Sequence, residues 1–284
     1  MNILICPCID KRKSTSALPA VIGRLKEYGM TPLLAESVRS LCNDERARYV
    51  PDDSAVMLCD MLMTIGGDGM ILKWGRKAAA AGKPLVGINT GRVGFMTALG
   101  VDELDRLSTL ADGTYTVSRR MLLSADIPFN DGTKEYRALN DIVLYKDANV
   151  KLPEFTVKTN GITVLTVRAD GLIFSTPTGS TAYALSAGGT IIEPTLECIE
   201  LTPLCPHTLF SRPMVFGGND TITVSYARYE SCYVNISVDG SSNIRLEPDT
   251  EIVIRRSPVT FELVETGENS FYGAVAKNLM ASLK

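Results

Sequence analysis

The spacing of apolar residues changes along this chain. In the first third, short unbroken apolar runs alternate with stretches whose apolar residues recur every three to four positions. NILIC (Asn2–Cys6) suits a buried strand. Leu18, Val21, Ile22 and Leu25 then fall at i, i+3, i+4 and i+7, one face of a helix, with Gly29 at its expected end. TPLLAE is a second strand candidate, DMLMTI (Asp60–Ile65) a third and LVGIN (Leu85–Asn89) a fourth. Between the last two, Ile71, Trp74, Ala78 and Ala81 mark a second helix face, stopped by Gly82 and Pro84. Strand, helix, strand in this order predicts parallel pairing through right-handed crossovers. The unbroken apolar strands predict a sheet covered on both sides. The first domain is therefore expected to be a doubly wound, Rossmann-like α/β domain.

After about residue 113 the period shortens to two. FTVKTNGITVLTV, TITVSYARY, YVNISV and IVIRRSPVTFELVE read as half-buried antiparallel strands, and Asn130-Asp131-Gly132 and Asn160-Gly161 are hairpin signals. STAYALSAGG (Ser180–Gly189) breaks the pattern as a short helix ended by glycines. The chain thus predicts an α/β domain over 1–105 and a larger β-rich domain from 106. LGVDELDRLSTLADG, around the boundary, is a helical link.

Composition narrows the function classes. Of 284 residues, 45% are apolar and 21% charged, as in an ordinary globular protein, and the net charge of -3 leaves no basic footprint for nucleic acid. No run reaches the eighteen or so apolar residues of a membrane span. The start, MNILICPCIDKRK, has its charges after the apolar run, the reverse of a secretory signal, so no membrane partner and a cytoplasmic location are expected. Seven scattered cysteines without a C-x-x-C pair read as reduced thiols. The one histidine, His207, sits in a proline-bounded loop without a G-x-S-x-G partner motif, so a structural role is expected for it.

The glycines then focus the chemistry. TIGGDGMILKW (Thr64–Trp74) puts a carboxylate among three glycines between a buried strand and a helix, where open α/β sheets bind ligands. A helix start suits phosphate, and Asp68 would repel one. It takes a proton or a metal, or accepts from a sugar hydroxyl. GINTGRVGF follows the next strand. DGLIFSTPTGSTAYALSAGG (Asp170–Gly189) is rich in hydroxyls, as phosphate and ribose contacts or as a Ser/Thr-rich surface loop. Asn140-Asp141 in ALNDIVLYK suits a purine or ribose edge, or is an ordinary turn pair. Neither G-x-x-x-x-G-K-[ST] nor G-x-G-x-x-G occurs, so the P-loop and the usual dinucleotide fingerprint are absent.

Taken in order, GGDG, GINTGRVGF, LND, DGLIFSTPTGSTAYALSAGG and PHTLFSRP resemble the NAD kinases from about Met61 to Pro213. The resemblance implies phosphorylation of the 2′-hydroxyl of the adenosine ribose of NAD by ATP, with a divalent cation such as Mg²⁺ whose ligands the sequence leaves unknown. It implies a sandwich-like second domain over 106–265, a segment 266–284 returning to the first domain, and a homodimer or homotetramer. By position it gives Asp68 as proton acceptor and substrate contacts at Gly69, Lys73, Asn140, Asp141, Lys151, Arg168, Asp170 and Thr178, and along the run Thr181, Ala182, Tyr183, Ala184, Leu185 and Ser186. Three positions depart from the family pattern: Met70 where Thr is frequent, RVGF in place of the commoner L-G-F context, and Ser241 where Gln is frequent. A lipid or sugar kinase sharing GGDG, and a non-catalytic NAD(P)-binding sensor, are the alternatives.

Overall fold

The computed structural model describes residues 1–91, 94–147, 151–208, 210–227, 233–241, 243–267 and 271–281. Arg92 and Val93, the core of the RVGF departure, lie outside the described residues, as does Cys232; the six other cysteines are free. The chain forms two compact units, Met1–Arg119 with Phe261–Lys284, and Arg120–Thr260. The sequence placed these cuts at 105/106 and 265/266. The structure moves them into two 14-residue strands, Thr116–Phe129 and Ile252–Glu265, each of which carries the chain from one unit to the other. An uninterrupted strand leaves no loop signal at a boundary.

In the first unit the elements run β1 (Asn2–Pro7), α1 (Arg12–Glu27), β2 (Thr31–Ala35), β3 (Arg48–Val50), α2 (Ala55–Leu58), β4 (Met61–Gly66), α3 (Asp68–Ala80), β5 (Leu85–Asn89), β6 (Leu99–Gly100) and α4 (Ser108–Asp112). Five of these strands pair in parallel in the order β3-β2-β1-β4-β5. Strand order reverses between β1 and β4, and the carboxyl ends of strands at such a point are where α/β sheets bind ligands. Leu18, Val21, Ile22 and Leu25 are all fully buried, as the helical period requires. On α3 the buried face is Ile71, Gly75, Ala78 and Ala79. Trp74 is displaced to its margin, where Lys77 stacks on the indole with its nitrogen 4.7 Å from the ring centre.

In the second unit β7 (Thr116–Phe129), β8 (Gly132–Ala138), β9 (Asp141–Lys146), β10 (Glu154–Thr159), β11 (Ile162–Arg168) and β12 (Gly171–Ser175) precede a 3-10 turn at Gly179–Thr181 and the single-turn helix α5 (Tyr183–Ser186). β13 (Cys198–Leu204), β14 (Met214–Gly217), β15 (Ile222–Tyr226), β16 (Val234–Val238), β17 (Ile244–Leu246) and β18 (Ile252–Glu265) complete it, and α6 (Phe271–Ala281) follows in the first unit. One sheet runs β14-β13-β12-β9-β16-β17. Its Ile142, Leu172, Phe174, Leu201 and Ile236 share a core with Leu123, Phe155, Val224 and Ile254 of the facing strands, which makes a β-sandwich. Asn160 and Gly161 close the β10–β11 hairpin with φ of 50° and 82°, the two positive values a type I′ turn needs.

Candidate active site

Asp68 is the first residue of α3 and stands immediately beyond the carboxyl end of β4. Its two oxygens accept backbone N–H groups from the chain after β5: Phe95 to Oδ2 at 2.8 Å and Met96 to Oδ1 at 3.2 Å. Such an approach requires Gly94, where a Cβ would sit 2.1 Å from Oδ1. Burial pushes the Asp68 carboxyl above its ordinary pKa, against the two N–H donors, which lower it. A carboxylate oxygen has two lone pairs, so each Asp68 oxygen can still accept a proton from a ligand. Sequence reasoning places Asp68 in the chemistry; the structure adds a holding role, because these bonds tie Phe95 and Met96 to the start of α3.

The same strand ends enclose a cavity of about 410 Å³, with Lys11, Arg12 and Lys13 on one side and Gly66, Gly67 and the Asn89–Gly91 turn on the other. The walls are locally fixed. Thr90 donates its N–H to the Gly66 carbonyl at 3.2 Å, the Ser14 and Thr90 hydroxyls lie 3.2 Å apart, and the Asn89 side chain accepts from Gly91 N–H at 2.8 Å. Three exposed cations, the start of the 16-residue α1 and open glycine backbone suit a polyphosphate. Sequence reasoning missed these cations. K-R-K, three residues beyond β1 and running into the first turn of α1, is the signal that marks them.

In the second unit, Asn140 and Asp141 lead into β9 and pack against the turn that follows β12. The Asn140 carbonyl accepts from Thr176 N–H at 2.8 Å, and the Thr176 hydroxyl donates to the Leu139 carbonyl at 2.6 Å. Gly179 lies so close that a Cβ would be 2.1 Å from the Asn140 carbonyl oxygen. From the other side Asp239, in the SVDG turn, accepts the N–H groups of Leu139, Asn140 and Asp141 at 2.9, 2.8 and 3.2 Å. Asp239 holds φ at 48°, a left-handed conformation that aspartate tolerates better than most residues. The sequence singled out Ser241 in this turn and overlooked Asp239. Ser241 itself closes the turn, its hydroxyl donating to the Val238 carbonyl at 2.9 Å.

Two polar atoms here are buried and unpartnered, Asn140 Oδ1 and Thr178 Oγ1. Buried polar atoms ordinarily have partners, so this pair leaves hydrogen-bonding capacity at the turn for a ligand or water. Asp141 is buried too, and burial together with the Asp239 charge pushes its carboxyl up to about 7. Tyr183 stands 48% exposed on α5, and of the rest of its run Ala184 is buried, Thr181, Ala182 and Leu185 are half-buried and Ser186 is exposed. Other expected contacts are engaged elsewhere or open. Arg168 bonds Glu154 at 3.1 Å across the β10–β11 hairpin, and Asp170 lies 3.7 Å from Lys146. Gly69, Lys73 and Lys151 are exposed. His207 is exposed, and its backbone N–H donates to the Arg168 carbonyl at 2.7 Å.

An α/β unit with a carboxylate at a helix start next to the glycines of a cationic cavity, and a β-sandwich with unpartnered polar atoms, have the parts of a two-domain phosphotransferase. Comparison with known proteins gives the family. Residues 18–128 match the ATP-NAD kinase N-terminal domain and residues 139–266 the ATP-NAD kinase C-terminal domain. The NAD kinase of Caldanaerobacter subterraneus subsp. tengcongensis is 35% identical over 277 residues, 97% of each chain, and that of Pseudomonas entomophila is 34% identical over 271 residues, 92% of this chain and 90% of the other. A crystal structure of an NAD kinase from Archaeoglobus fulgidus in complex with ATP superposes with a TM-score of 0.73 at 25% identity, covering 100% of this chain and 98% of that one. Yeast NADH kinase, crystallised with NADH, shares the fold with a TM-score of 0.85 at 24% identity, covering 99% and 87%. The chain belongs to the NAD kinase family. A lipid or sugar kinase and a sensor are not favoured.

Proposed function

We propose that this chain carries out its family's reaction, the phosphorylation of NAD by ATP, at the 2′-hydroxyl of the adenosine ribose, with Asp68 as the proton acceptor. The observation that carries this reading is the half-buried, glycine-flanked carboxylate of Asp68 at the start of α3, directly after Gly66 and Gly67, which line the cationic cavity. As the 2′-oxygen bonds to the γ-phosphorus, the bond from that phosphorus to the β,γ-bridging oxygen breaks, ADP leaves and the hydroxyl proton passes to Asp68. Lys11, Arg12 and Lys13 hold the donor phosphates, with Lys73 one helical turn beyond Asp68 as a further cation. Asn140 Oδ1, Asp141 and Thr178 Oγ1 accept from NAD, and Tyr183 gives it an aromatic face.

Among the described residues no group of three His, Cys, Asp or Glu is placed to hold a metal ion. The residues therefore fit a divalent cation that arrives with the nucleotide and takes most of its ligands from phosphate and water, as Mg²⁺ commonly does. When bound, the cation neutralises charge on the transferred phosphoryl group. We further propose a cytoplasmic homodimer or homotetramer. No helix among the described residues is long and apolar enough to cross a membrane. Incubation with NAD, ATP and Mg²⁺, read by an NADP-specific dehydrogenase, tests the reaction; no NADP above a protein-free blank would refute it. Light scattering on the eluting peak tests the assembly, and a monomer mass would refute that.

A further inference from the structure

The sheet face turned away from the sandwich core carries a carboxylate that the reading above does not use. Glu200, on β13, is fully buried. Ser175 pairs with Glu200 on one side and Asp141 on the other, so Glu200, Ser175 and Asp141 form one row across β13, β12 and β9. Residues in such a row project to the same face of a sheet. Glu200 Oε2 accepts from the Ser175 hydroxyl at 3.1 Å, and Oε1 accepts from Thr190 N–H at 2.5 Å. Neither partner is cationic. A carboxylate buried among neutral groups is tolerated only while its hydrogen bonds are kept, so both donors are held to fixed places.

Those donors bracket the hydroxyl-rich segment. Ser175 ends β12, and Thr190 stands directly after the glycine pair that ends the segment. Closure is tight, because a Cβ at Gly189 would lie 2.8 Å from Glu200 Oε1. A second tie holds the middle, where the Ser180 hydroxyl donates to the Pro177 carbonyl at 2.7 Å and accepts from Ile192 N–H at 3.1 Å. Ser180 therefore fixes the turn locally, whereas Glu200 fixes both ends of the loop to the strand row that bears Asp141.

We propose that Glu200 is a positioning residue for NAD. By clamping Ser175 and Thr190 it sets Thr178 and Tyr183 in register with Asn140 and Asp141. This rests on the reading that the segment and the Asn140–Asp141 pair bind NAD. Steady-state kinetics on Glu200→Asp, Glu200→Gln and Tyr183→Ala test it, each variant first shown by circular dichroism to be folded. Asp keeps the charge but is one methylene too short to reach both donors. Gln keeps the reach: its Oε1 accepts from Thr190, and the Ser175 hydroxyl accepts from its amide. Losing one charged hydrogen bond from the clamp should raise the KM for NAD about tenfold in Glu200→Asp, while the KM for ATP and kcat stay within about threefold. Glu200→Gln should restore the KM for NAD to within about threefold of the parent. An unchanged KM for NAD in Glu200→Asp, a parallel rise in both KM values, or a Gln variant as impaired as Asp would overturn the positioning role. Tyr183→Ala separates the two readings. If it leaves NAD binding unchanged, the assignment of the segment to NAD fails. If it weakens NAD while Glu200→Asp does not, only the clamp fails.

Discussion

Two carboxylates set the behaviour expected of single residues. Asp68→Asn removes the proposed proton acceptor, and general-base loss slows turnover by roughly 10² to 10⁴. It also disturbs the turn, because the asparagine amide nitrogen cannot accept from Phe95 or Met96 N–H as a carboxylate oxygen does. An unsatisfied buried donor costs about 1–3 kcal/mol, so a melting point lower by a few degrees is expected as well. Ser14→Ala supplies the comparison, since it removes the hydroxyl 3.2 Å from that of Thr90 and leaves the Asp68 bonds to Phe95 and Met96 intact. Measured side by side, Asp68→Asn should lose far more kcat than Ser14→Ala at a comparable thermal shift; equal losses would make Asp68 merely structural. Asp141 governs pH dependence. Its carboxyl, ordinarily near 3.9, is pushed up to about 7, so the native state holds its proton more tightly than the unfolded chain. That contribution to stability is fully present below about pH 4 and is lost as pH rises through about 7. The ligand-free protein should therefore melt lower at pH 8 than at pH 6, and Asp141→Asn should flatten the difference. Where Asp141 accepts from NAD as proposed, the bond favours its ionised form, so affinity should rise over the same window with release of a proton. Calorimetry in buffers of different ionisation enthalpy reads this, and equal release by Asp141→Asn would refute it.

At the scale of elements, the segment 175–190 joins sequence to function most directly. Tyr183→Ala should weaken NAD binding by the lost aromatic area and hydroxyl, each worth about 1 kcal/mol. Tyr183 is already 48% exposed, so the fold should not suffer; unchanged affinity by calorimetry would count against its contact with NAD. Elements of this kind were legible where period and turn chemistry agree. NILIC became β1, IVIRRSPVTFELVE became β18 residue for residue, and Asn160-Gly161 made its hairpin. Legibility ended where a residue acts through a distant partner. Glu200 reads as one polar residue in a strand, and nothing local announces that it meets Ser175 and Thr190. Asp239 lies 98 to 100 positions from the amides it caps. Trp74 failed for another reason, because periodicity marks a helix face but not its exact centre, and here Gly75 and Ala79 take the buried positions beside Ile71 and Ala78.

For the whole molecule, the two units divide the chemistry. The first carries Asp68 and the cationic cavity, and the second carries the unpartnered buried atoms Asn140 Oδ1 and Thr178 Oγ1. This division has a consequence for the metal. A protein with its own carboxylate cage would bind Mg²⁺ in the absence of nucleotide, whereas the described residues offer no such cage. With no P-loop lysine, charge on the donor is balanced in the proposed reading by the cation together with Lys11, Arg12 and Lys13. Chelation should therefore abolish turnover, and Mg²⁺ or Mn²⁺ should restore it in proportion to the metal–ATP complex rather than to free metal. Titration of Mg²⁺ into the nucleotide-free protein should give no tight binding. Replacing Lys11, Arg12 and Lys13 together by alanine should raise the KM for ATP while leaving NAD affinity at its parent value, because those side chains belong to the first unit alone. Robust turnover in chelator would refute the metal requirement. Tight Mg²⁺ binding without nucleotide would place the cation in a site of the protein's own, and a triple variant that loses NAD and ATP equally would remove the division of labour between the units.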